Sequence, residues 1–415
     1  MNLPQQPAGL GIVWMAVLTV IGPATALADV RQAVPIEGEP FSAEIAAIAP
    51  SWQIRFTSNG NTRELSAADL VRWGTPRELR RGPVLVLADG GFFAAEVLKA
   101  DKERLSADSA VFGMVEVPLE LLRGIVFQLP LERQERDLLL DSILAAEGNS
   151  DEAILTNGDR IAGRFEGIGD SALQVQSNVG PVDVQRHRLS ALVFNPSLVS
   201  RMPASGLRSP AGFADGSRLI ARQLVFDEKT LKVATAGGLT WNTSPEDLVF
   251  LQPLGGRAMY LSDLKADGYR HVPFLGLPWP YRTDRNVIGG WLRAGDGIHA
   301  KGLGMHSASR ITYAIDEDDA RFEALLAVDD STAGQGSVGF RVFVDGGVKS
   351  TSATIRGGDP PLPISVDIRG AKRLDLIVDF ADRADVLDRA DWLDARIVKE
   401  HSVSPRKPPP ADSHF

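Results

Sequence analysis

The 415-residue sequence contains no cysteine. This absence excludes disulfide bonds, thiolate nucleophiles and cysteine-based zinc sites, together with any lipid attached through an N-terminal cysteine. The fold must therefore be held by apolar cores, and a hydrophobic content of 44% is ordinary for a protein that buries such cores.

The sequence also lacks basic runs, and its formal net charge is −9. This charge balance argues against nucleic acid or an anionic membrane as a partner. No Gly-x-Ser-x-Gly elbow, phosphate-binding loop or histidine-rich metal motif is present. The adjacent carboxylates Asp329 and Asp330 would point to opposite faces of a strand, which does not suit glycoside hydrolysis. No segment is large enough for a catalytic barrel, so we expect no enzymatic activity.

The N-terminus carries the features of a secretory signal. Residues 10–21 form an apolar segment too short to span a bilayer comfortably, and Ala26-Leu27-Ala28 is a small-x-small cleavage pattern. We therefore expect a signal peptide at 1–28, no membrane span after cleavage, and a secreted, periplasmic or cell-surface protein. The segment before the apolar run has no Lys or Arg, so an uncleaved anchor is the alternative.

A repeated pattern fills the region between the signal and residue 254. Each copy has a glycine-bearing turn, a further pair of short strands and a final apolar strand, and the first turn glycines lie at 38, 90, 158 and 216. Asn157-Gly158 and Asp215-Gly216 are dipeptides that accept positive φ in tight turns. About five short strands in ~45 residues match the size of a small SH3-like or Sm-like barrel. Propeller blades fit the uneven spacing less well.

The pattern predicts an all-β chain with one inserted helix, whose apolar stripe we expect to pack on the neighbouring barrels rather than on a partner. The predicted parts are two small barrels at 34–130 (the first degraded), a linker helix at 131–150, a barrel at 151–197, a linker at 198–211, a barrel at 212–254, a β-sandwich at 255–400 and a disordered tail at 401–415.

The C-terminal third alternates strand-length apolar runs with Gly, Asp and Ser clusters. Val338, Phe340, Val342 and Val344 keep a period of two, so one face of that strand is expected to be buried. The Asp345-Gly346-Gly347 sequence then suits a tight hairpin. Several such strands without helical periodicity predict an antiparallel β-sandwich.

An ordered series of landmarks in this stretch resembles the NPCBM family, which overlaps the family 51 carbohydrate-binding modules. The landmarks are Tyr260 to Leu264, Lys301 to His306, Val328-Asp329-Asp330, Phe340-Arg341-Val342, and Asp388 to Trp392 with Asp394-Ala395-Arg396. The sequence departs from the family at Arg389, where His is common. The resemblance implies a galactose-binding-like jelly roll that recognises carbohydrate.

Metal binding is left open by the sequence. Aspartates recur every three residues from Asp382 to Asp394, with Arg383 and Arg389 among them and Arg396 just after the last. An EF-hand loop needs a spacing of two and a central Gly, so we interpret this run as a solvated loop of mutually neutralising charges. We expect no cofactor, although the family resemblance keeps structural calcium open because galactose-binding-like sandwiches commonly contain it.

A sugar site requires an aromatic face for the C–H face of a pyranose and polar groups for its hydroxyls. We expect the sugar site at loops near His306 and the Asp388 to Trp392 segment. Trp392 itself is expected to lie in the core. We assign no catalytic residue and no metal ligand. The candidate carbohydrate-binding residues are His306, Arg341, Asp388, Asp391, Trp279 and Tyr281.

These features predict an exported, non-catalytic protein that recognises a glycan or envelope polysaccharide through its C-terminal sandwich. The alternative is a cell-envelope scaffold whose repeats bind envelope proteins and whose sandwich no longer binds sugar.

Overall fold

The computed structural model describes residues 31–58, 60–200, 206–227, 229–273 and 278–400. The predicted signal peptide and C-terminal tail lie outside these residues. Within the described ranges the chain is almost entirely β-strand with a single α-helix, α1 (Arg133–Leu144). No helix in these ranges is long and apolar enough to cross a membrane.

The first part of the chain contains four units of the same construction. In each unit the first strand pairs with the second and the fifth, and the third pairs with the second and the fourth; in the first two units the second strand is split into two pieces. The first unit contains β1 (Gln32–Pro35), β2 (Phe41–Ser42), β3 (Glu44–Ile48), β4 (Gln53–Ser58), β5 (Asn61–Ser66) and β6 (Leu70–Gly74). The second unit contains β7 (Val84–Leu87), β8 (Phe92–Ala94), β9 (Glu96–Ala100), β10 (Arg104–Ser109), β11 (Gly113–Pro118) and β12 (Leu122–Val126). The third unit contains β13 (Asp151–Leu155), β14 (Arg160–Ile168), β15 (Ala172–Ser177), β16 (Gly180–Gln185) and β17 (Leu189–Val193), and the fourth contains β18 (Ser209–Phe213), β19 (Arg218–Asp227), β20 (Thr230–Thr235), β21 (Thr240–Thr243) and β22 (Leu248–Leu251).

The units are partly open barrels rather than the closed ones their size suggested. Among the described residues, the fourth strand of every unit pairs with the third strand alone. A short 3-10 turn in place of a β-turn leads from the fourth strand to the fifth, so these two strands do not form a hairpin. The four turns are Ala67–Asp69, Leu119–Leu121, Arg186–Arg188 and Pro245–Asp247. The predicted all-β class, with tandem units before a sandwich, is confirmed.

The turn between the first two strands explains the repeated sequence signal. Its glycines at 38, 90, 158 and 216 have φ values of +92°, +90°, +87° and +91°, a region open to glycine and costly for other residues. In three units the preceding Asp or Asn also accepts a backbone N–H two residues ahead, as in Asp215 Oδ1 from Ser217 N at 2.8 Å. Both properties come from local chemistry, which is why they are readable in sequence.

The fifth strands join the units in pairs. β6 of the first unit pairs with β22 of the fourth, and β12 of the second pairs with β17 of the third. These strands are buried on both faces, which accounts for their continuous apolar sequences. One contiguous apolar core then runs through all four units. We call the four units together the repeat assembly.

Replacing Gly216 or Gly90 with alanine should separate backbone strain from steric contact. Both glycines have φ near +90°, but a Cβ at Gly216 would lie 2.4 Å from the carbonyl oxygen of Glu78, whereas a Cβ at Gly90 meets nothing within 4 Å. We expect Gly90→Ala to cost about 1–2 kcal/mol of unfolding free energy and Gly216→Ala roughly 1–3 kcal/mol more. Denaturant unfolding of both variants measures this, and equal costs would contradict the close approach.

The C-terminal part is a β-sandwich of two antiparallel sheets. One sheet has the order β25-β28-β36-β30-β34 with β23 also paired to β36, and the other has the order β24-β29-β35-β31-β32 with β33 paired to β31. The strands of the two sheets are β23 (Ala258–Tyr260), β24 (Gly268–His271), β25 (Arg282–Thr283), β28 (Gly302–His306), β29 (Ser309–Ala314), β30 (Asp319–Val328), β31 (Ser337–Val344), β32 (Gly347–Thr351), β33 (Ile355–Arg356), β34 (Leu362–Asp367), β35 (Arg373–Phe380) and β36 (Arg389–Lys399). Two further strands, β26 (Leu292–Ala294) and β27 (Gly297–His299), form a separate hairpin.

The sandwich core forms between the two sheets. Trp392 is fully buried there and meets Phe340 edge-on, with ring centroids 4.9 Å apart and planes at 88°. The alternating residues Val338, Phe340 and Val342 are likewise buried on one face of β31. The interpretation of Trp392 as a core residue is confirmed.

Helix α1 and the segment from Arg282 to Ala300 join the sandwich to the repeat assembly. Trp291 is buried and stacks on Phe92 of β8, with centroids 5.5 Å apart, and the Arg218 guanidinium lies 4.9 Å from its ring centroid. Arg285 forms a two-point ion pair with Asp141 of the helix. The helix therefore packs within the protein, against β7 and β12 and against the sandwich segment.

A buried ion-pair network lies at the centre of this junction. Arg293 donates to Asp137 of α1 at 2.6 Å and to Glu78 at 2.8 Å, and Arg136 reaches the same Glu78 at 2.7 Å. Asp137 is fully buried and also accepts from the Trp291 backbone N–H at 2.9 Å. Burial alone would raise the pKa of Glu78, but its hydrogen bonds and charge contacts with the arginines hold that pKa below its usual value.

Breaking this network should be far more costly than breaking an exposed pair. Arg293→Met keeps the aliphatic length but leaves Asp137 and Glu78 without their shared cation, so we expect a loss of about 3–5 kcal/mol of unfolding free energy. Arg55→Met, the matched control, removes an arginine whose ion pair with Glu64 is more than half exposed, so we expect about 1 kcal/mol or less. Chemical denaturation measures both, and similar losses would show that the network adds little.

Candidate carbohydrate-binding surface

An exposed tryptophan marks one end of the sandwich. Trp279 follows β24 in a proline-flanked loop, and 41% of its surface is exposed. Its ring stacks on His306 at the end of β28, with centroids 5.7 Å apart and planes 6° from parallel. The imidazole therefore lies parallel to the indole, and the tryptophan keeps a solvent-exposed surface beside it.

Two residues of β24 hold the tryptophan loop in place. The Trp279 backbone N–H donates to His271 Nδ1 at 2.9 Å, and the Tyr269 hydroxyl donates to the Trp279 carbonyl at 2.9 Å. His271 also meets His306 edge-on at 5.5 Å, and Tyr281 packs against Tyr269 at 5.0 Å. We call these five aromatic residues, Trp279, His306, His271, Tyr269 and Tyr281, the aromatic platform.

The chain beside the platform is held in an unusual backbone conformation. Arg383, Ala384 and Leu387 all have φ near +60° although none is glycine, which costs free energy at each residue. At the end of this loop the Asp388 carbonyl accepts from the Ser307 N–H at 3.3 Å, next to His306. The strained loop therefore lies alongside the platform.

The imidazoles of the platform are biased toward the neutral form. Burial lowers the pKa of His306, and the neighbouring charge of His271 lowers it further. Burial likewise lowers the pKa of His271. A neutral imidazole stacks without bringing a net charge to the indole, so at neutral pH the platform is suited to an uncharged ligand.

The other candidates occupy different environments. Asp388 is buried at the edge of the platform, where its Oδ1 accepts from the Ser337 N–H at 3.0 Å. Asp391 is fully buried inside the protein, and the charge of Asp329 adds to the effect of burial in raising its pKa well above the usual value. Arg341 pairs with Asp379 on the outer face of the other sheet. The structure thus groups Trp279, Tyr281, His306 and Asp388, and separates Asp391 and Arg341 from them.

The solvated-loop interpretation of the aspartate run is wrong for the last three of its five aspartates. Asp388, Asp391 and Asp394 are all at most 2% exposed, because the run passes from a surface loop directly into β36, the strand paired on both sides. In the described ranges no group of acidic or histidine side chains has the arrangement of a metal site.

Sequence reasoning missed His271 and Tyr269. The available signal was their alternation in Gly268–His271, which ends just before Val272-Pro273 and the tryptophan loop. His271, the last residue of β24, pairs with Ser309, which follows His306 by three residues. The end of β24 therefore lies beside that histidine.

Comparison with known proteins agrees with this architecture. The model of the NPCBM/NEW2 domain matches residues 257–398. The C-terminal sandwich is an NPCBM domain. The predicted resemblance and its C-terminal position are confirmed, and the domain belongs among carbohydrate-binding modules. Its match covers the two sheets and the platform.

Two curated relatives match part of this domain. A protein named "Putative endo-alpha-N-acetylgalactosaminidase" from Renibacterium salmoninarum is 32% identical over 114 residues, which are 28% of this chain and 8% of that protein. Alpha-1,3-galactosidase B from Akkermansia muciniphila is 32% identical over 117 residues, 27% of this chain and 15% of that protein. The chain thus spans less than a fifth of the length of either relative.

Solved structures of CBM51 modules are also similar. One contains the CBM51-2 module with GlcNAc and the INT domains of Clostridium perfringens ZmpB, at 27% identity, 45% of this chain, 42% of that chain and a TM-score of 0.32. Another is the CBM51 module of Clostridium perfringens GH95 with methyl-galactose, at 24% identity, 34% of this chain, 99% of that chain and a TM-score of 0.31.

Stability should depend on the protonation of Asp388. Burial raises its pKa to about 6, so between about pH 4 and 6 the folded protein binds a proton that the unfolded chain has released, and stability falls as pH rises through this window. Asp388→Asn removes the contribution of this proton to the unfolding free energy. We therefore expect the parent to lose stability relative to Asp388→Asn from pH 4 to 6 and the difference to level off above pH 7. Denaturant unfolding at several pH values measures this, and a flat difference would contradict it.

Proposed function

We propose that this protein is an exported, non-catalytic carbohydrate-binding protein that recognises a glycan or envelope polysaccharide through the aromatic platform of its NPCBM domain. The observation that carries the proposal is the half-exposed Trp279 ring, stacked on His306 and fixed by His271 and Tyr269. A rigid, flat aromatic face at a loop end suits the C–H face of a sugar ring, since little entropy is lost when the ligand binds.

The chemistry around the platform favours a neutral sugar. The lowered pKa values of His271 and His306 keep these rings uncharged at neutral pH. The names of the two curated relatives refer to α-linked N-acetylgalactosamine and α-1,3-linked galactose. We therefore propose galactose-type residues, with or without an N-acetyl group, as the first ligands to test.

The proposed binding is weak. One exposed aromatic face and a shallow surface correspond to dissociation constants on the order of 0.1–1 mM, or roughly 4–5.5 kcal/mol. Export rests on the signal-like segment at the N-terminus, and the recovery of a mature protein that begins at Asp29 outside the cytoplasm would support it.

The platform is tested by removing its aromatic face. Trp279→Ala should weaken binding of a methyl galactoside or N-acetylgalactosamine at least tenfold, which corresponds to about 1.4 kcal/mol, without lowering the melting temperature appreciably, because the side chain is exposed. His306→Ala should weaken binding as well, since the indole loses the ring that orients it. Titration calorimetry or ligand-observed NMR on the full chain measures both.

The control and the opposing outcome are well defined. Val348→Ala removes another exposed apolar side chain, 56% exposed on the edge strand β32, and should bind as the parent does. If Trp279→Ala binds as tightly as the parent, the platform is not the site. If the parent binds no glycan on an array, the alternative of an envelope scaffold without sugar binding is favoured.

A further inference from the structure

A cavity lies where the repeat assembly meets the NPCBM domain, and no residue of the aromatic platform lines it. It has a volume of about 210 Å³. Arg72, Phe250 and Gln252 line it from the repeat assembly, and Ile298, His299 and Asp394 line it from the NPCBM domain. We call it the junction cleft. Neither part of the chain forms it alone.

Asp394 is placed in the cleft by a strained backbone. It lies inside β36, yet its φ is +50°, and the pairing of β36 with β30 shifts register next to it, between Glu323 and Leu325. A left-handed conformation at a non-glycine residue costs about 1–2 kcal/mol and persists where the surroundings impose it. Bulges of this kind redirect a side chain out of the regular strand pattern.

The carboxylate of Asp394 is buried but only partly satisfied. Gln252 Nε2 donates to its Oδ1 at 2.9 Å, whereas its Oδ2 lies 3.4 Å from Arg72 Nε and 3.7 Å from His299 Nδ1. The last two distances exceed those of good hydrogen bonds. Oδ2 is therefore held in long ion pairs rather than short hydrogen bonds, and it keeps the capacity to accept a hydrogen bond from a hydroxyl group that enters the cleft beside them.

Gln252 adds a second uncommitted group. Its side chain is fully buried, and its Nε2 is used by Asp394 and by the Tyr260 hydroxyl, but its Oε1 has no partner among the described residues. An amide oxygen left without a donor costs roughly 1–3 kcal/mol. Because Gln252 is fully buried, a ligand hydroxyl could reach this oxygen only after a small shift of the side chains that cover it.

The charge and apolar lining define the class of ligand. Asp394 disfavours an anion and Arg72 disfavours a cation, while their combination of acceptors and donors matches hydroxyl groups, which both donate and accept. Phe250, Ile298 and Leu325 supply apolar surface for C–H groups. Convergent polar groups on an apolar wall are typical of a small-molecule site.

We propose that the junction cleft is a second binding site, which takes a neutral polyhydroxylated ligand the size of one monosaccharide and requires both parts of the chain. It is separate from the aromatic platform, so it does not depend on the platform binding sugar. The protein would then have two sugar sites of different kinds, one open and one enclosed.

The test blocks the cleft without disturbing the backbone. Gly297 does not have positive φ, and the three atoms nearest to a Cβ there, in Ala294, Thr75 and His299, lie at the ordinary contact distances of 3.6–4.0 Å, so Gly297→Leu should fill the cleft. Gly347→Leu in the exposed β32 hairpin is the matched control. The full chain is titrated with methyl galactoside and N-acetylglucosamine while the methyl NMR signals of Ile298 and the indole signal of Trp279 are followed.

We expect the Ile298 signals to shift and saturate in the parent, in Trp279→Ala and in Gly347→Leu, and not in Gly297→Leu. Asp394→Asn, which suits the left-handed backbone, should keep the fold and weaken this site about tenfold. Ile298 signals that do not move with either sugar, or that move equally in Gly297→Leu, would overturn the junction site and leave only water in the cleft. Loss of the Trp279 response alone would overturn the platform instead, so the two failures are distinguishable.

Discussion

The guanidinium of Arg293 holds together three parts of the chain that are distant in sequence. The guanidinium contacts Glu78 beside the second repeat unit and Asp137 on helix α1, and the backbone N–H of Arg293 donates to Asp329 of the NPCBM domain. A charge this deeply placed is tolerated only because its partners satisfy it fully. The position of Trp291 and of the helix follows from that arrangement, since Asp137 also accepts the Trp291 N–H.

The ion pairs of Arg293 also fix one end of the segment that begins in the aromatic platform. The chain from Trp279 to Arg293 is fixed at one end by His271 and Tyr269 and at the other by the buried ion pairs with α1 and Glu78. Its ends therefore have little freedom to shift independently of the repeat assembly. The residues that follow the indole loop are thereby fixed to helix α1 and to Glu78, between the first and second repeat units.

The features that came from local chemistry were predictable from the sequence. The turn glycines, the strand alternation and the apolar helix stripe each reflect contacts within a few residues, so the four units, α1 and the sandwich could be inferred. The landmarks of the NPCBM family led to the expectation that His306 lies near the Asp388 to Trp392 segment, and the Ser307 N–H to Asp388 carbonyl hydrogen bond agrees with it. Trp279 was indicated only by its ring and its proline-flanked loop.

The remaining features depend on long-range packing. Strand alternation shows that two faces exist, but not that Asp391 faces the interior or that Arg341 faces outward on the other sheet. The partners Glu78, Asp137 and Arg293 are separated by up to 215 residues, and each alone looks like an ordinary surface charge. Likewise, nothing in the sequence marks Asp394 for a left-handed backbone, because its register shift arises from the strands on either side.

The pairing of the fifth strands has a consequence for synthesis of the chain. The second and third units are neighbours in sequence and can join as soon as both have been translated. The first unit must wait for β22 of the fourth, so β6 presents an unpaired apolar edge during that interval, the kind of edge that promotes aggregation. A linear solenoid can lose its last repeat and keep the others intact, but this nested arrangement cannot, because a chain that stops after the third unit leaves the first without its partner.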